Sequence, residues 1–194
     1  EISALVLAAS KGDFGELVKD KPKAMLRLRG KPILSWHADA FRKQGIRRIG
    51  VVRGYRKEAV DLPNLEYFDN ERYAETGELA SLYAARDFLK GDLVLGYGDI
   101  VFDDFILGNL LQQEAGITIA VDGAWKLRGR ADIHRDLVVT SGAHAPLGKN
   151  ACKLSSIGPD VSSDEVSGEW IGLLALRADK TAQVVALLDK LAKE

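Results

Sequence analysis

One cysteine, Cys152, in 194 residues excludes an intrachain disulfide and makes a reducing cytoplasm the expected setting. The three histidines, His37, His134 and His144, show no metal-ligand spacing, so a zinc site is not expected. No apolar run approaches the roughly 20 residues that cross a bilayer. Ile2 to Ala9 is short and leads into a mixed-charge loop, which is not the pattern of a signal peptide. A net charge of −1 supplies no overall basic field, which disfavours nucleic acid as the main partner. Neither G-x-G-x-x-G nor G-x-x-x-x-G-K-[ST] follows the first strand, and no serine, histidine and acid occur in a nucleophilic arrangement. Internal repeats and low-complexity segments are also missing.

What remains is an alternation of apolar runs and helical patterns, which predicts one α/β domain over 1–194, Rossmann-like and three-layered, with a mixed, mainly parallel sheet. Strands are predicted at Ile2 to Leu7, Ile46 to Val52, Leu65 to Phe68, Asp92 to Tyr97 and Ile117 to Val121. Helices are predicted at Pro32 to Gln44, Glu78 to Leu89 and Phe105 to Gln113, with a short one at Arg56 to Val60. Later strands, Leu137 to Thr140, Lys153 to Ile157 and Glu169 to Leu176, follow without long helices between them, and a helix at Lys180 to Leu191 closes the chain. Ser141 to Asn150, rich in Gly, Ala and Pro, reads as a loop. The chain opens at Glu1 directly on a core strand, so a domain excised from a longer polypeptide, or a chain lacking its first residues, is expected.

The first strand delivers Leu7 to a loop of small residues, Ala8-Ala9-Ser10-Lys11-Gly12. Backbone N–H groups in a loop with so little side-chain bulk can approach an anion, which points to a nucleoside triphosphate. Lys23, within Lys21-Pro22-Lys23-Ala24-Met25-Leu26, supplies an ammonium for an α-phosphate, and Lys11 one for the β- and γ-phosphates. The strand Leu93 to Tyr97 would place Gly98-Asp99 at the carboxyl edge of the sheet, where ligands of open α/β folds bind. Asp99 reads as a ligand of Mg²⁺, which prefers hard carboxylate oxygens shared with substrate phosphates. Asp103 and Asp104 suit a helix N-terminus instead. Glu169, flanked by Gly168 and Gly172's strand, is the best-placed second carboxylate for the metal, with Asp122 its competitor. In the segment 73–82, Thr76 is placed to cap the following helix, Gly77 leaves room for a flat base, and Ser81 lies one turn on.

The order of small-residue loop, Pro22-Lys23-x-x-Leu26 and Gly30-Lys31-Pro32-Ile33-Leu34 resembles the sugar-phosphate and choline-phosphate nucleotidyltransferase superfamily. Three further blocks, Tyr73 to Leu82, Tyr97 to Phe102 and Val121 to Trp125, look like its cytidylyltransferases, and more closely those linked to phosphoenolpyruvate mutase in phosphonate biosynthesis. The resemblance implies a Mg²⁺-dependent transfer of CMP from CTP to a small phosphonate, such as 2-hydroxyethylphosphonate or 2-aminoethylphosphonate, with release of pyrophosphate. It makes Lys23 and Asp99 the catalytic pair, Leu7 to Gly12, Thr76, Gly77 and Ser81 the nucleotide contacts, and Asp99 with Glu169 the metal ligands. Asp122, Trp125, Arg128, Arg130 and Asp136 become the acceptor contacts, the arginines through bidentate pairing with phosphonate oxygens. A fused or associated mutase domain is the implied partner.

Two departures from the family pattern stand in the loop: Ser10 where a glycine is common, and Phe14 near the place of a phosphate-gripping arginine. They leave open a non-catalytic nucleotide-binding domain. A choline-phosphate cytidylyltransferase is a second alternative, with Trp125, Tyr97 and Tyr83 as aromatic residues for a trimethylammonium group. A nucleotide-sugar glycosyltransferase would carry Asp-x-Asp, and Gly98-Asp99-Ile100-Val101 is not one.

Overall fold

The chain builds β1 at Ile2–Ala8, a short hairpin of β2 at Arg27–Leu28 and β3 at Lys31–Pro32, α1 at Ile33–Lys43, β4 at Arg48–Arg53 and β5 at Glu66–Asp69. It continues with α2 at Glu78–Ala84, β6 at Asp92–Tyr97, α3 at Asp104–Leu111, β7 at Ile117–Asp122, β8 at Leu137–Ser141, β9 at Lys153–Gly158, β10 at Gly168–Leu176 and α4 at Ala178–Leu191. This computed structural model describes residues 1–128, 136–141, 152–159, 161 and 165–193. They fall into two units, Glu1–Thr118 with Leu174–Glu194, and Ile119–Leu173.

In the first unit four parallel strands lie in the order β5-β4-β1-β6. β1 sits between β4 and β6 and is buried along almost its whole length, as a strand covered on both faces must be. Its register, Leu5 opposite Gly50 and Leu95, puts Leu5, Val52 and Leu93 on one face. There they pack with Leu82, Ala85 and Phe88 from the α2 region and with Leu188 of α4. The period of two sends Ala4, Val6, Val51 and Val94 to the opposite face, where they are equally buried; α1 and α3 touch each other, and Leu34, Phe41 and Leu107 on them are buried. Helices on both faces of a mainly parallel sheet are the α/β architecture that the alternating pattern predicts.

The predicted helix over Glu78 to Leu89 is two pieces. α2 stops at Ala84, and a tight 3-10 turn, Arg86–Phe88, follows. The tighter turn seats Phe88 in the core beneath Gly50, where a Cβ would come within 3.0 Å of the ring, and leaves Arg86 in a forked pair with Asp189 of α4, 2.5 and 2.6 Å. The predicted role of Asp103 is met: its side chain accepts the Phe105 N–H at 2.9 Å at the start of α3.

In the second unit β8 runs antiparallel to β9 and to the start of β10, with Leu137 opposite Glu169, and β7 pairs with β10. Of these, β8 and β9 are consecutive in the chain and pair directly.

A long-range cap joins the chain's last helix to the sheet. Asp92, the first residue of β6, accepts the Ala178 N–H at 2.9 Å through one oxygen and the Arg177 guanidinium at 3.2 Å through the other. Arg177 also donates to the Leu111 carbonyl at 3.4 Å and to that of Gln113, satisfying backbone acceptors at the end of α3 and just past it. Asp92→Ala removes a cap of about 1–2 kcal/mol and is expected to lower the melting temperature by about 2–8 °C for a chain of this size, read by calorimetry.

Candidate active site

Parallel pairing brings the carboxyl ends of β1 and β6 to one edge of the sheet, so the loops that leave them are neighbours. Leu7 is opposite Tyr97 in the register, and the Gly98 N–H donates to the Leu7 carbonyl at 2.8 Å. One residue further on, the Asp99 carboxylate meets the Lys23 ammonium at 2.5 Å, although the two are 76 residues apart. Their side chains keep 19% (Lys23) and 30% (Asp99) of their exposure, so the pair is screened less than one on the open surface and still faces a ligand.

Lys23 opens a 3-10 turn, Lys23–Met25, whose first turn follows the extended Pro22. Its aliphatic stem lies against Gly12, where a Cβ would stand 2.4 Å from Lys23 Cδ, and Gly12 holds φ at +68°. The left-handed φ favours glycine, and a side chain there would displace the lysine stem. Phe14 presents its ring to the ammonium at 5.9 Å from the centroid, a cation–π arrangement. The Lys11 ammonium lies 5.5 Å from the Tyr55 ring centroid instead of over the pair.

The pair lies in a cleft of about 220 Å³ lined by Leu7, Ala8, Ala9 and Ser10 from the first loop, Lys23 and Ala24, Tyr97 to Asp99, and Tyr73, Thr76, Gly77, Glu78 and Ser81 from the segment that leads into α2. Of the residues predicted to hold a nucleotide, Leu7, Ala8, Ala9, Ser10, Lys23, Thr76, Gly77 and Ser81 thus border one cavity with Asp99. Lys11 and Gly12 are not part of its lining. A Cβ on Gly77 would meet nothing within 4 Å, so the wall is open at that point.

Asn70, which the sequence analysis did not single out, organises the α2 side of the cleft. It is 6% exposed, follows β5, and its backbone N–H donates to the Arg53 carbonyl at the end of β4 at 2.8 Å. Its side-chain amide donates to Thr76 Oγ1 at 3.1 Å and Ser81 Oγ at 3.0 Å and accepts the Arg72 N–H at 3.0 Å. The predicted cap by Thr76 is therefore corrected. Thr76 donates its hydroxyl to the Arg72 carbonyl at 2.8 Å and accepts from Asn70, and the N-cap of α2 is Gly77, without a side-chain bond. The signal available in sequence was Asn70's place immediately after a strand at the ligand-binding edge.

The scaffold below is held by charge. Arg53 and Asp69, register partners at the ends of β4 and β5, form a forked pair of 2.8 and 3.3 Å, and Lys57 joins at 3.2 Å. Burial alone would raise the Asp69 carboxyl, but the bonds from Arg53 and Lys57 override it and hold the group below its ordinary value.

Asp122, Trp125, Arg128, Asp136 and Glu169 belong to the second unit. Asp122 accepts the Ala124 N–H at 2.9 Å in a side-chain turn, and Trp125–Arg128 is a 3-10 helix with Lys126 Nζ 5.5 Å from the Trp125 ring centroid. The Asp136 carbonyl accepts the Trp170 N–H at 2.9 Å, beside Glu169. Arg130 lies outside the described residues.

No group of three or more His, Cys, Asp or Glu side chains assembles as a metal cage among the described residues. The donor chemistry at the cleft, a hard carboxylate beside a space bordered by backbone and an ammonium, fits an ion shared with the oxygens of a phosphate ligand, which is how magnesium is usually held.

Comparison with known proteins agrees with this geometry. The model of the MobA-like NTP transferase domain matches residues 4–144. Over its whole length the chain is 27% identical to a CTP:phosphoglutamine cytidylyltransferase of Campylobacter jejuni, of which it covers 80%. It is 31% identical over 109 residues, 53% of its length, to a 2-aminoethylphosphonate cytidylyltransferase of Lancefieldella rimae, of which it covers 44%. In fold it is similar to the CTP:phosphocholine cytidylyltransferase of Streptococcus pneumoniae, with a TM-score of 0.68 at 20% identity over 97% of this chain and 76% of that one. A cleft of this kind at the carboxyl edge of the sheet, and a family match over most of the chain, lead to one conclusion: the protein belongs to the MobA-like NTP transferase domain family and is a nucleotidyltransferase with cytidylyltransferases among its relatives.

Proposed function

We propose that this chain transfers CMP from CTP to a small phosphonate, 2-hydroxyethylphosphonate or 2-aminoethylphosphonate, with magnesium and with release of pyrophosphate. The observation that carries the reading is the Lys23–Asp99 pair on the wall of a cleft whose other borders are the small-residue loop and the segment before α2. A phosphonate oxygen forms the new bond to the α-phosphorus as the bond to the β-phosphate oxygen breaks, and pyrophosphate carries away the electron pair. The attacking oxygen is ionised near neutral pH, so no general base is required. Catalysis then comes from positioning and from neutralising charge.

Each residue has a physical task in this scheme. Ala8, Ala9 and Ser10 keep the loop low so that backbone N–H groups reach phosphate oxygens. Lys23 meets the negative charge that grows on the α-phosphate, and Gly12 lets its stem lie flat enough to aim the ammonium. Asp99 would hold the magnesium ion, which, when bound, neutralises phosphate oxygens and steadies the leaving pyrophosphate. Gly77 leaves room for a flat base, and Ser81, steadied by Asn70, offers its hydroxyl at the same wall. We place the reaction in the cytoplasm on the strength of the single cysteine; among the described residues no helix is long and apolar enough to cross a membrane.

A second acceptor is favoured by one observation. The match to the Campylobacter jejuni CTP:phosphoglutamine cytidylyltransferase runs the whole length of this chain, whereas the aminoethylphosphonate enzyme matches about half. A phosphorylated glutamine presents the same kind of anionic oxygen to the α-phosphorus.

Two measurements test the proposal. Pyrophosphate release with each of four nucleoside triphosphates, against both phosphonates, phosphoglutamine and phosphocholine, is expected to require CTP and to favour a phosphonate. Turnover with phosphoglutamine alone would move the assignment to the second acceptor, and none with any pair would leave a nucleotide-binding domain without catalysis. Lys23→Ala and Asp99→Ala are each expected to lower kcat by about 10²–10³-fold while circular dichroism stays that of the parent. Near-parental turnover in either would remove that residue from the mechanism.

A further inference from the structure

Asp99 sits in a turn, and the backbone stays irregular until α3 begins at Asp104. A charged side chain on such a segment needs its backbone held on both sides if it is to keep a direction. Upstream, the Gly98 N–H is tied to Leu7 at 2.8 Å. Downstream the tie comes from α1: His37 Nε2 lies 2.5 Å from the Ile100 carbonyl oxygen.

A carbonyl only accepts, so Nε2 carries the proton and Nδ1 is a bare lone pair. Nδ1 is buried and has no hydrogen-bond partner among the described residues. The ring is 1% exposed, its centroid 5.2 Å from that of Phe102 and 6.2 Å from that of Phe41. Burial pushes the imidazole below its ordinary pKa, towards the neutral ring, against the smaller raising effects of the Ile100 carbonyl and the Asp99 charge. Phenylalanine or leucine would fill this space among aromatic rings without stranding a nitrogen, and a stranded buried acceptor is destabilising. Packing therefore does not account for an imidazole here. The bond to Ile100 does.

The same helix also reaches the other half of the pair. The Ile33 N–H at the start of α1 donates to the Leu26 carbonyl at 2.9 Å, directly after the turn that carries Lys23. One turn later on α1, His37 holds the residue next to Asp99. The two segments whose side chains meet at 2.5 Å are thus referenced to a single rigid element.

We propose that His37 is a positioning residue, clamping the Ile100 carbonyl to α1 through its Nε2–H so that the Asp99 carboxylate keeps the direction in which it meets Lys23 and a metal-bound nucleotide. This inference rests on the reading of Asp99 as the magnesium ligand. Nothing in it asks His37 to touch substrate or to exchange a proton.

The test uses the full chain with His37→Phe, which keeps a ring and loses the donor, and His37→Gln, whose amide nitrogen reaches the position of Nε2. His37→Phe is expected to lower kcat at least tenfold, raise the magnesium concentration for half-maximal rate several-fold, and leave KM for CTP within about threefold, in line with the sensitivity of catalysis to small misplacements. His37→Gln is expected to recover most of the loss. Without nucleotide or metal, hydrogen exchange over residues 98–103 is expected to quicken in His37→Phe and not in His37→Gln, with the rest of the chain unchanged. If the phenylalanine variant does not fold, His37→Asn replaces it, because its shorter amide stops at the Nδ1 position and cannot reach Ile100. Parental kcat and magnesium dependence in folded His37→Phe, or equal losses in the donor and non-donor variants, would overturn the proposal. Asp99→Ala in the same assays keeps the two readings apart: parental turnover there refutes Asp99 itself, while a dead Asp99→Ala beside a normal His37→Phe refutes the clamp alone.

Discussion

The ion pair between Lys23 and Asp99 holds together parts of the chain that have no local reason to meet. Lys23 stands after the first strand's long loop and Asp99 after the fourth strand of the parallel set, and their contact at 2.5 Å depends on β1 and β6 being neighbours in the sheet. Gly12 leaves the space in which the lysine stem lies. A partly buried charge pair is stable only where both partners are well placed. The cleft is therefore a consequence of sheet order first and of side-chain chemistry second.

Around the pair, polar groups are satisfied with economy. Asn70 uses both amide hydrogens and its oxygen on Thr76, Ser81 and the Arg72 N–H, so one buried side chain gives the wall before α2 its shape. The forked contact of Arg53 with Asp69 does similar work below it, tying the ends of β4 and β5 that the Asn70 backbone then joins. Networks of this kind rigidify a site when every member is bonded. His37 differs, since its Nδ1 has no partner among the described residues. That imbalance singles it out from a core in which an apolar residue would have served.

Much of the architecture was legible in sequence because period and burial are local signals. The strand at Asp92–Tyr97 appears as predicted, and α1 and α4 fall within two residues of their expected bounds. The readings that needed revision turn on contacts that hydrophobic periodicity does not encode, some of them short in the chain and some long. Thr76 has the right residue type and spacing for a cap, yet Asn70 and the Arg72 carbonyl take its hydroxyl. The predicted helix through Leu89 breaks because Phe88 is seated beneath Gly50. Asp92 looked like the first residue of a strand and nothing more, and the helix that it caps begins 86 residues later.

The sequence by itself determined the α/β class, the low loop after β1, the lysine that follows Pro22 and the aspartate that follows the strand ending at Tyr97, since apolar periodicity and side-chain bulk act over a few residues. Tertiary structure alone decided that Lys23 and Asp99 pair, that Lys11 turns to Tyr55, that Asn70 rather than a helix cap orders Thr76 and Ser81, and that a histidine on α1 holds the turn beside Asp99. The physical reason is the same in each case. Hydrogen bonds and ion pairs are directional over about 3 Å, and which groups come that close is set by strand order and by the helices packed on the sheet, neither of which is written in the spacing of residues along the chain.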